Sequence, residues 1–209
     1  MLVGKKSSSL QKKPVVAPKS SERHGVKQAV IIQIIILYQN MVESTAIPHF
    51  KLSNLQSTQL PETQAPFLCE IWNWQGDTSV LPYKWVEVLS SVSGSETAYD
   101  SKTLKQSYVS SPQFDPNAFF FLTYRSHAIG LCLVWPTPDG QFEIKHLCSV
   151  PSHRGKGVEE CLLGLALKYC KGKGAKEVTI KFDESPLREY QEGILRELIT
   201  SNFGFVASQ

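Results

Sequence analysis

The chain has 209 residues and a formal net charge of +3, and 42% of its residues are hydrophobic. These values are typical of a soluble protein that has one domain with a sizeable core, together with an extension. The basic residues form no long stripe interleaved with aromatic residues, which argues against a nucleic-acid-binding groove.

The first 26 residues predict a disordered, basic tail. They are rich in Lys, Ser and Pro, and no acidic residue precedes Glu22. Lys and Ser occupy the place where the apolar core of a signal peptide would begin. We therefore predict a cytoplasmic protein, with targeting to an organelle through this tail as the alternative.

Residues 27–65 predict an apolar segment followed by a linker. The run Ala29–Tyr38 is about ten residues long, whereas a membrane-spanning helix needs about twenty, so no membrane span is expected. A buried strand is our first interpretation of this run, and a membrane-associated segment or part of a targeting leader is the alternative. Scattered prolines and polar residues from 40 to 66 predict little structure of their own.

Residues 66–209 have the pattern of a folded domain. It opens with a predicted strand, Phe67–Trp74, and a predicted helix, Tyr83–Val92, whose apolar residues lie at helical spacing. An antiparallel meander of three strands follows, and its second turn contains Asp139-Gly140. The strands of the meander are predicted at Ala118–Tyr124, Ile129–Trp135 and Phe142–Val150.

The rest of the domain predicts a helix, a strand and a second helix. The first helix begins at Val158, has an apolar face, and ends at Lys171–Gly174, where cations and glycine suit a helix C-terminus. The strand is predicted at Glu177–Phe182 and the second helix at Leu187–Ser201. This order predicts an α/β fold with a mixed, mostly antiparallel sheet flanked by helices.

The cysteines lie in or beside apolar runs, and no CxxC pair is present. We expect buried, reduced thiols of an intracellular protein and no metal site, because a zinc site needs closely paired ligands. Cys148 is a conceivable nucleophile, but the sequence identifies no paired histidine, so a buried thiol is the favoured interpretation. The cysteines are Cys69, Cys132, Cys148, Cys161 and Cys170.

The segment 150–159 connects a predicted strand directly to a predicted helix. Gly155 and Gly157 let the backbone turn tightly with its N–H groups outward, and the helix N-terminus adds donors and partial positive charge. Arg154 and Lys156 add full charges. These features are typical of a site for a phosphate or pyrophosphate group. An ordinary strand-to-helix turn with solvated basic residues is the alternative.

This segment resembles the cofactor-binding motif of the GNAT superfamily of acyl-CoA N-acyltransferases. In that family, R/Q-x-x-G-x-G/A follows a strand and opens a helix, and Arg154 and Gly157 occupy its first two fixed positions here. Downstream, Asn202–Phe205 resembles the Gly-Phe that follows the family's last helix. The resemblance extends from residue 66 to 205 and is strongest from 144 to 170.

The resemblance implies the GNAT fold and acetyl-CoA as cosubstrate, with no metal. The loop amides would hold the pyrophosphate of coenzyme A, and the backbone of Leu147 and Ser149 would face its pantetheine arm. The implied reaction transfers an acetyl group to a primary amine of an unknown acceptor, either a small molecule or a protein. The residues expected to bind the cofactor are Leu147, Cys148, Ser149, Arg154, Gly155, Lys156, Gly157, Val158 and Glu159.

Three departures from the family pattern favour an alternative, a catalytically weak or inactive GNAT-fold protein that acts through partner binding. Glu159 replaces the last Gly or Ala of the motif, and its carboxylate would repel a pyrophosphate unless it points away. Thr200 stands where the family often has a tyrosine that can protonate the leaving thiolate. The chain ends four residues after Phe205, so a domain that lacks the last strand is a further alternative.

Transfer to an amine needs a base that removes the amine's proton. The resemblance favours Glu143, on the strand before the loop, and His146 is the second candidate; strict alternation would put them on opposite faces. A solvated glutamate and a packed histidine are the alternatives. Tyr190 is a candidate acid only if its helix presents it to the cleft. Contacts to the acceptor are expected from residues 76–117, which contain no recognisable motif.

Overall fold

The computed structural model describes residues 49–72, 79–93, 100–182 and 190–208. The predicted basic tail and the apolar run Ala29–Tyr38 lie outside the described residues. One mixed sheet organises the described part of the chain. Its strands are β1 (His49–Leu52), β2 (Cys69–Trp72), β3 (Phe119–Tyr124), β4 (His127–Pro136), β5 (Phe142–Ser149), β6 (Val178–Lys181) and β7 (Val206–Ser208).

The order of the strands across the sheet is β2-β3-β4-β5-β6-β1-β7. Neighbouring strands are antiparallel except β5 and β6, which run parallel. The predicted meander is formed by β3, β4 and β5. The predicted fold class, a mixed and mostly antiparallel sheet flanked by helices, is therefore confirmed.

The helical elements in the described ranges include three π-helical turns. The α-helices are α1 (Leu81–Ser93), α2 (Ser101–Leu104) and α3 (Val158–Gly172). One π-helical turn, Lys105–Val109, continues α2, and two more, Gln191–Leu195 and Leu198–Asn202, form what we call the C-terminal helical segment. No helix in these ranges is long and apolar enough to cross a bilayer.

The two long helices cover opposite faces of the sheet. Trp85 of α1 contacts Phe119 of β3, with ring centroids 4.5 Å apart, whereas Tyr169 of α3 contacts the next residue, Phe120. Successive strand residues point to opposite faces, so α1 and α3 sandwich the meander. All five cysteines are free thiols. Four of them are buried, as the sequence predicts, and Cys69 is half-buried; the buried ones are Cys132, Cys148, Cys161 and Cys170.

The N-terminus of α3 is held close to β4 by a glycine. A Cβ placed on Gly130 would lie 2.6 Å from Val158 Cγ1 and 3.0 Å from the carbonyl oxygen of Cys148. No larger residue fits without displacing the helix. Val158, the first residue of α3, therefore packs directly on the β4–β5 pair, and this contact fixes the loop before α3 at the end of β5.

Strand β1 lies inside the stretch that the sequence predicts to be a linker. It pairs antiparallel with β6 (His49 opposite Lys181) and with β7 (His49 opposite Ser208). Phe50 and Leu52 are buried. The linker prediction is therefore wrong for these residues, because two alternating apolar side chains in so short a strand give no readable period. A last strand, β7, does follow Phe205, and β1 rather than a C-terminal strand covers β6.

Strands β5 and β6 separate where the sequence analysis expects a phosphate loop to follow. They pair only at Phe142–Val178, Glu143–Thr179 and Ile144–Ile180, and β5 then continues to Ser149 paired with β4 but not with β6. We call the space beside residues 145–149 the β5–β6 wedge. A β-bulge accompanies the separation: His146 and Leu147 together face Cys132 of β4, and His146 has a φ of 55°.

Candidate active site

A sharp loop joins the end of β5 to α3. After a 3₁₀ turn, Pro151–His153, the chain turns through 154–157, with Gly155 at φ 65° and Gly157 at φ 82°. These positive angles suit glycine. α3 starts only at Val158, and no side chain in the described ranges caps it, so the backbone amides of its first turn are available donors at the positive end of the helix.

An open cavity lies in front of this loop. One wall is formed by Gly155, Gly157 and the start of α3, and the opposite wall is formed by the C-terminal helical segment through Ile194, Glu197 and Leu198. The cavity therefore brings together the helix N-terminus and a segment that is distant in sequence.

Glu159 is a buried residue beside the cavity. Only 2% of the residue is exposed. Its Oε1 accepts a hydrogen bond of 2.6 Å from Ser149 Oγ and another of 2.6 Å from the hydroxyl of Tyr190. Two short bonds to a charged acceptor offset much of the cost of burying it. The carboxylate is thus buried and held by two hydroxyl groups, and the residue also lines the cavity.

Tyr190 fills part of the β5–β6 wedge. Besides donating to Glu159, its hydroxyl oxygen accepts the backbone N–H of Ser149 at 3.1 Å. Burial, together with the neighbouring Glu159 charge, raises the pKa of Tyr190 well above its usual range, so the hydroxyl stays protonated. Because backbone groups alternate along a strand, the Ser149 N–H that Tyr190 occupies marks the side of β5 that faces the wedge.

The two basic side chains of the loop are both bonded to backbone carbonyls. Arg154 lies over the Tyr190 ring, 4.4 Å from its centroid, and donates to the carbonyl oxygen of Val92 at 3.1 Å. That carbonyl belongs to the last turn of α1, where the helix dipole is negative. Lys156 donates to the carbonyl oxygen of Ser152 at 2.8 Å.

Glu143 lies on the paired part of β5, before the wedge opens. Its carboxylate oxygens are each 3.6 Å from a lysine Nζ, one from Lys145 and one from Lys181, and 13% of the side chain is exposed. The carboxylate is therefore half-enclosed between two cations at the base of the wedge.

His146 lies at the point where β5 leaves β6. Its Nε2 is 3.4 Å from the Tyr108 hydroxyl, and its ring lies edge-on to Trp85 at 5.4 Å. Lys145 Nζ also approaches the Tyr108 ring, at 6.0 Å. Both residues thus reach the same neighbour, so the strict alternation expected from the sequence is wrong here, because the bulge adds a residue to β5.

Tyr108 and Trp85 are the aromatic residues that the sequence analysis missed as part of this site. Tyr108 lies in the π-helical turn that continues α2, a distortion that often marks functional sites. The centroid of its ring lies 5.1 Å from the ring centroid of Trp85 and 5.1 Å from that of Trp135. In the sequence, Trp85 is marked only by its helical spacing, and that spacing is equally typical of a core residue. Thr200, by contrast, is exposed and bonds back to the Arg196 carbonyl.

Residues 84–189, just over half of the chain, match the Acetyltransferase (GNAT) family. The chain belongs to the GNAT acetyltransferase family. No curated protein matches it. Among solved structures, a GCN5-related N-acetyltransferase from Sphaerobacter thermophilus is 18% identical with a TM-score of 0.57, and the match covers 78% of this chain and 48% of that one. This GNAT chain therefore spans about half the length of that relative.

Two further structures are similar at lower TM-scores. A GCN5-related N-acetyltransferase from Kribbella flavida is 14% identical, with a TM-score of 0.49 and coverage of 78% of this chain and 55% of that one. AAC(6')-Iy, in complex with the bisubstrate analogue CoA-S-monomethyl-acetylneamine, is 15% identical, with a TM-score of 0.49 and coverage of 68% and 92%.

The structure places the predicted site residues of this GNAT chain as follows. Gly155, Gly157 and Glu159 line the cavity. Ser149, Arg154 and Glu159 contact Tyr190. Leu147, Cys148 and Val158 are buried beside them, and Lys156 bonds within the loop.

Proposed function

We propose that this chain is an N-acetyltransferase that moves the acetyl group of acetyl-CoA to a primary amine. The observation that supports the proposal is the β5–β6 wedge, which opens toward a glycine loop at a helix N-terminus in a chain of the GNAT family. A wedge bounded by strand backbone on one side suits an extended, amide-containing arm, and the loop suits the phosphates attached to it.

In this proposal, the pyrophosphate of coenzyme A binds the amides of Gly155 to Glu159. The amides at the start of α3 have no cap from a side chain that the structure describes, and they sit at the positive end of the helix. The pantetheine arm then runs along β5 and bonds the backbone of Leu147 and Ser149. Cys148 and Val158 contribute buried apolar surface beside the arm.

The acetyl thioester would lie where β5 meets β6, next to the bulge at His146. We propose that Glu143 removes a proton from the acceptor ammonium, directly or through water. The neutral nitrogen attacks the thioester carbonyl, a C–N bond forms, and the C–S bond breaks to release coenzyme A thiolate. The nitrogen gives up its second proton, which the thiolate takes up to leave coenzyme A as the thiol. His146 is the second candidate for the base, because it lies where β5 leaves β6, whereas Glu143 is already flanked by two lysines.

The proposal is tested first by binding and then by transfer. Acetyl-CoA at about a hundred times its dissociation constant should raise the free energy of unfolding by about 2.7 kcal/mol. Mass spectrometry of a mixture of polyamines, aminoglycosides and peptides, incubated with the full chain and acetyl-CoA, should then reveal the acceptor by a gain of one acetyl group. No stabilisation by millimolar acetyl-CoA, in the wild type or in Glu159→Gly, would refute the proposal.

A second candidate function is a GNAT-fold protein that acts through a partner without turnover of acetyl-CoA. The contacts of Tyr190 favour it, because its hydroxyl already occupies the Ser149 amide and its ring already engages Arg154. The replacement of the motif's last Gly or Ala by Glu159 makes those contacts possible. The same measurements of stabilisation by acetyl-CoA and of acetyl transfer decide between the two functions.

A further inference from the structure

The side chain of Tyr190 stands where the proposed cofactor arm would bind. We propose that Tyr190 is an internal competitor of acyl-CoA: its hydroxyl holds the Ser149 amide, and acyl-CoA enters the wedge only after Tyr190 leaves it. We call the contacts of Tyr190 with Ser149, Glu159 and Arg154 the Tyr190 latch. This inference rests on the proposed acyl-CoA function.

Competition follows from the number of donors available at the strand. The backbone of Ser149 has one N–H, and it already bonds the Tyr190 hydroxyl at 3.1 Å. An amide carbonyl of the pantetheine arm needs the same N–H. The Tyr190 hydroxyl and the carbonyl of the arm therefore cannot bond this N–H at the same time.

The closed latch satisfies the Tyr190 hydroxyl and the Glu159 carboxylate, whereas Arg154 Nε is buried with no hydrogen-bond partner among the described residues. Glu159 is a buried charge, and its two bonds of 2.6 Å come from Tyr190 and from Ser149 Oγ. Hydrogen bonds to a buried charged group are strong, and an unpaired buried carboxylate is costly. The ring is in turn covered by the Arg154 guanidinium, which is anchored to Val92.

Opening the latch would do two things at once. Tyr190 immediately precedes the π-helical turn Gln191–Leu195, whose segment also lines the cavity in front of the loop. Withdrawal of Tyr190 would free the Ser149 amide and would also uncover Arg154, the one guanidinium of the loop. The cation expected to attract the pyrophosphate thus becomes available in the same step that clears the arm's path.

Calorimetric titration of coenzyme A into the full chain tests the latch. Tyr190→Phe removes the hydroxyl but keeps the ring, so coenzyme A should bind it at least about tenfold more tightly than the wild type, the effect of losing one charge-assisted hydrogen bond. Glu159→Gln, which weakens the anchor and leaves the tyrosine in place, should shift the affinity in the same direction by a smaller factor.

Tyr169→Phe is the matched control. The Tyr169 hydroxyl also donates to a carboxylate, Asp115 at 2.7 Å, but that contact lies at the far end of α3. Its loss should leave the affinity for coenzyme A unchanged. Hydrogen exchange of the Ser149 amide gives an independent readout: protection should fall in Tyr190→Phe and return when coenzyme A is added.

The outcomes separate the latch from the proposed function. If folded Tyr190→Phe and Glu159→Gln bind coenzyme A no more tightly than the wild type, the latch is wrong and Tyr190 is a fixed wall of the site, while the acyl-CoA function stands. Should Tyr190→Phe fail to fold, Glu159→Gln decides alone. If neither variant nor the wild type binds millimolar coenzyme A, the proposed function fails, and the latch with it.

Discussion

At the scale of single residues, the site depends on how a few buried polar groups are satisfied. Glu159 has two short hydrogen bonds, and Arg154 rests on an aromatic ring and a helix carbonyl. Each partner comes from a different element, so the cluster links β5, α3, α1 and the C-terminal helical segment. A change in any one of these residues is expected to affect both stability and ligand binding.

The assignment of the base is the first prediction at this scale. Glu143→Gln is nearly isosteric and should lower kcat by about 10²–10⁴ without changing the affinity for acetyl-CoA, because the amide cannot take up a proton. Steady-state kinetics with the acceptor found by mass spectrometry measures this. His146→Asn is the comparison: a larger loss of kcat in this variant than in Glu143→Gln would transfer the role to the histidine at the bulge.

Buried thiols predict how stability responds to alkaline pH. Burial raises the pKa of Cys170 to about 12 from its ordinary value of 9.0. Above pH 9 the unfolded chain loses this proton while the folded chain keeps it, so stability is present below pH 9 and is lost as the pH rises toward 12. The expected slope for this one group approaches about 1.4 kcal/mol per pH unit.

Urea unfolding at pH 8, 9, 10 and 11 measures this slope for the wild type and for Cys170→Ala. The variant should be less stable at pH 8, because it leaves a small cavity, and its stability should fall less steeply as the pH rises. Equal slopes in the two proteins would mean that Cys170 does not contribute to the pH dependence.

At the scale of elements, the loop before α3 depends on backbone angles rather than on space. Gly157 has a φ of 82°, and a Cβ added there would meet only Pro66 Cγ, at 3.7 Å. Gly157→Val should therefore cost about 1–3 kcal/mol through backbone strain and should abolish binding of coenzyme A. Thermal unfolding and calorimetry measure the two effects.

Gly172→Ala is the control on the same helix. Gly172 lies in the last turn of α3, and an added Cβ would meet nothing within 4 Å. This substitution should leave ligand affinity unchanged and raise stability by up to about 1 kcal/mol, since alanine is the better helix former. An equal loss of binding in both variants would contradict a specific role of the loop.

The elements that the sequence predicts well are those with strong local patterns. The meander strands are long apolar runs separated by turn residues, and α1 and α3 carry clear apolar faces. The strand-loop-helix motif likewise follows from Arg154, Gly155 and Gly157 alone. Prediction of the bulge at His146 fails, because it depends on the pairing of β5 with β4, and no local pattern encodes that register.

The same reasoning explains what the sequence could and could not indicate about the site. Glu159 is recognisable as a departure from the family motif. Its partner Tyr190, however, lies on another element, and the contact with Ser149 spans 41 positions in the sequence. Only the three-dimensional structure shows that the Glu159 carboxylate is buried and held by two hydrogen bonds.

At the scale of the whole molecule, stability should depend on β1 but not on the basic tail. Phe50 of β1 is 2% exposed, and its ring contacts Phe182, with centroids 5.0 Å apart. Phe50→Ala should cost about 3–5 kcal/mol. A chain that begins at residue 27 should unfold at the same urea concentration as the full chain, because the tail offers few apolar groups to bury. A large loss on removing the tail would contradict this expectation.

The position of β1 between β6 and β7 also bears on how the chain is made. During synthesis β1 leaves the ribosome first, yet its partners, near Lys181 and Ser208, are translated last. Until β6 is made, the meander ends at β5 with an uncovered edge and β1 has no partner in the sheet, so either strand can pair with a strand of another nascent chain. The last strand insertion joins residues far apart in the sequence, a slow step. Nascent chains of this protein should therefore need a chaperone until β7 has been made.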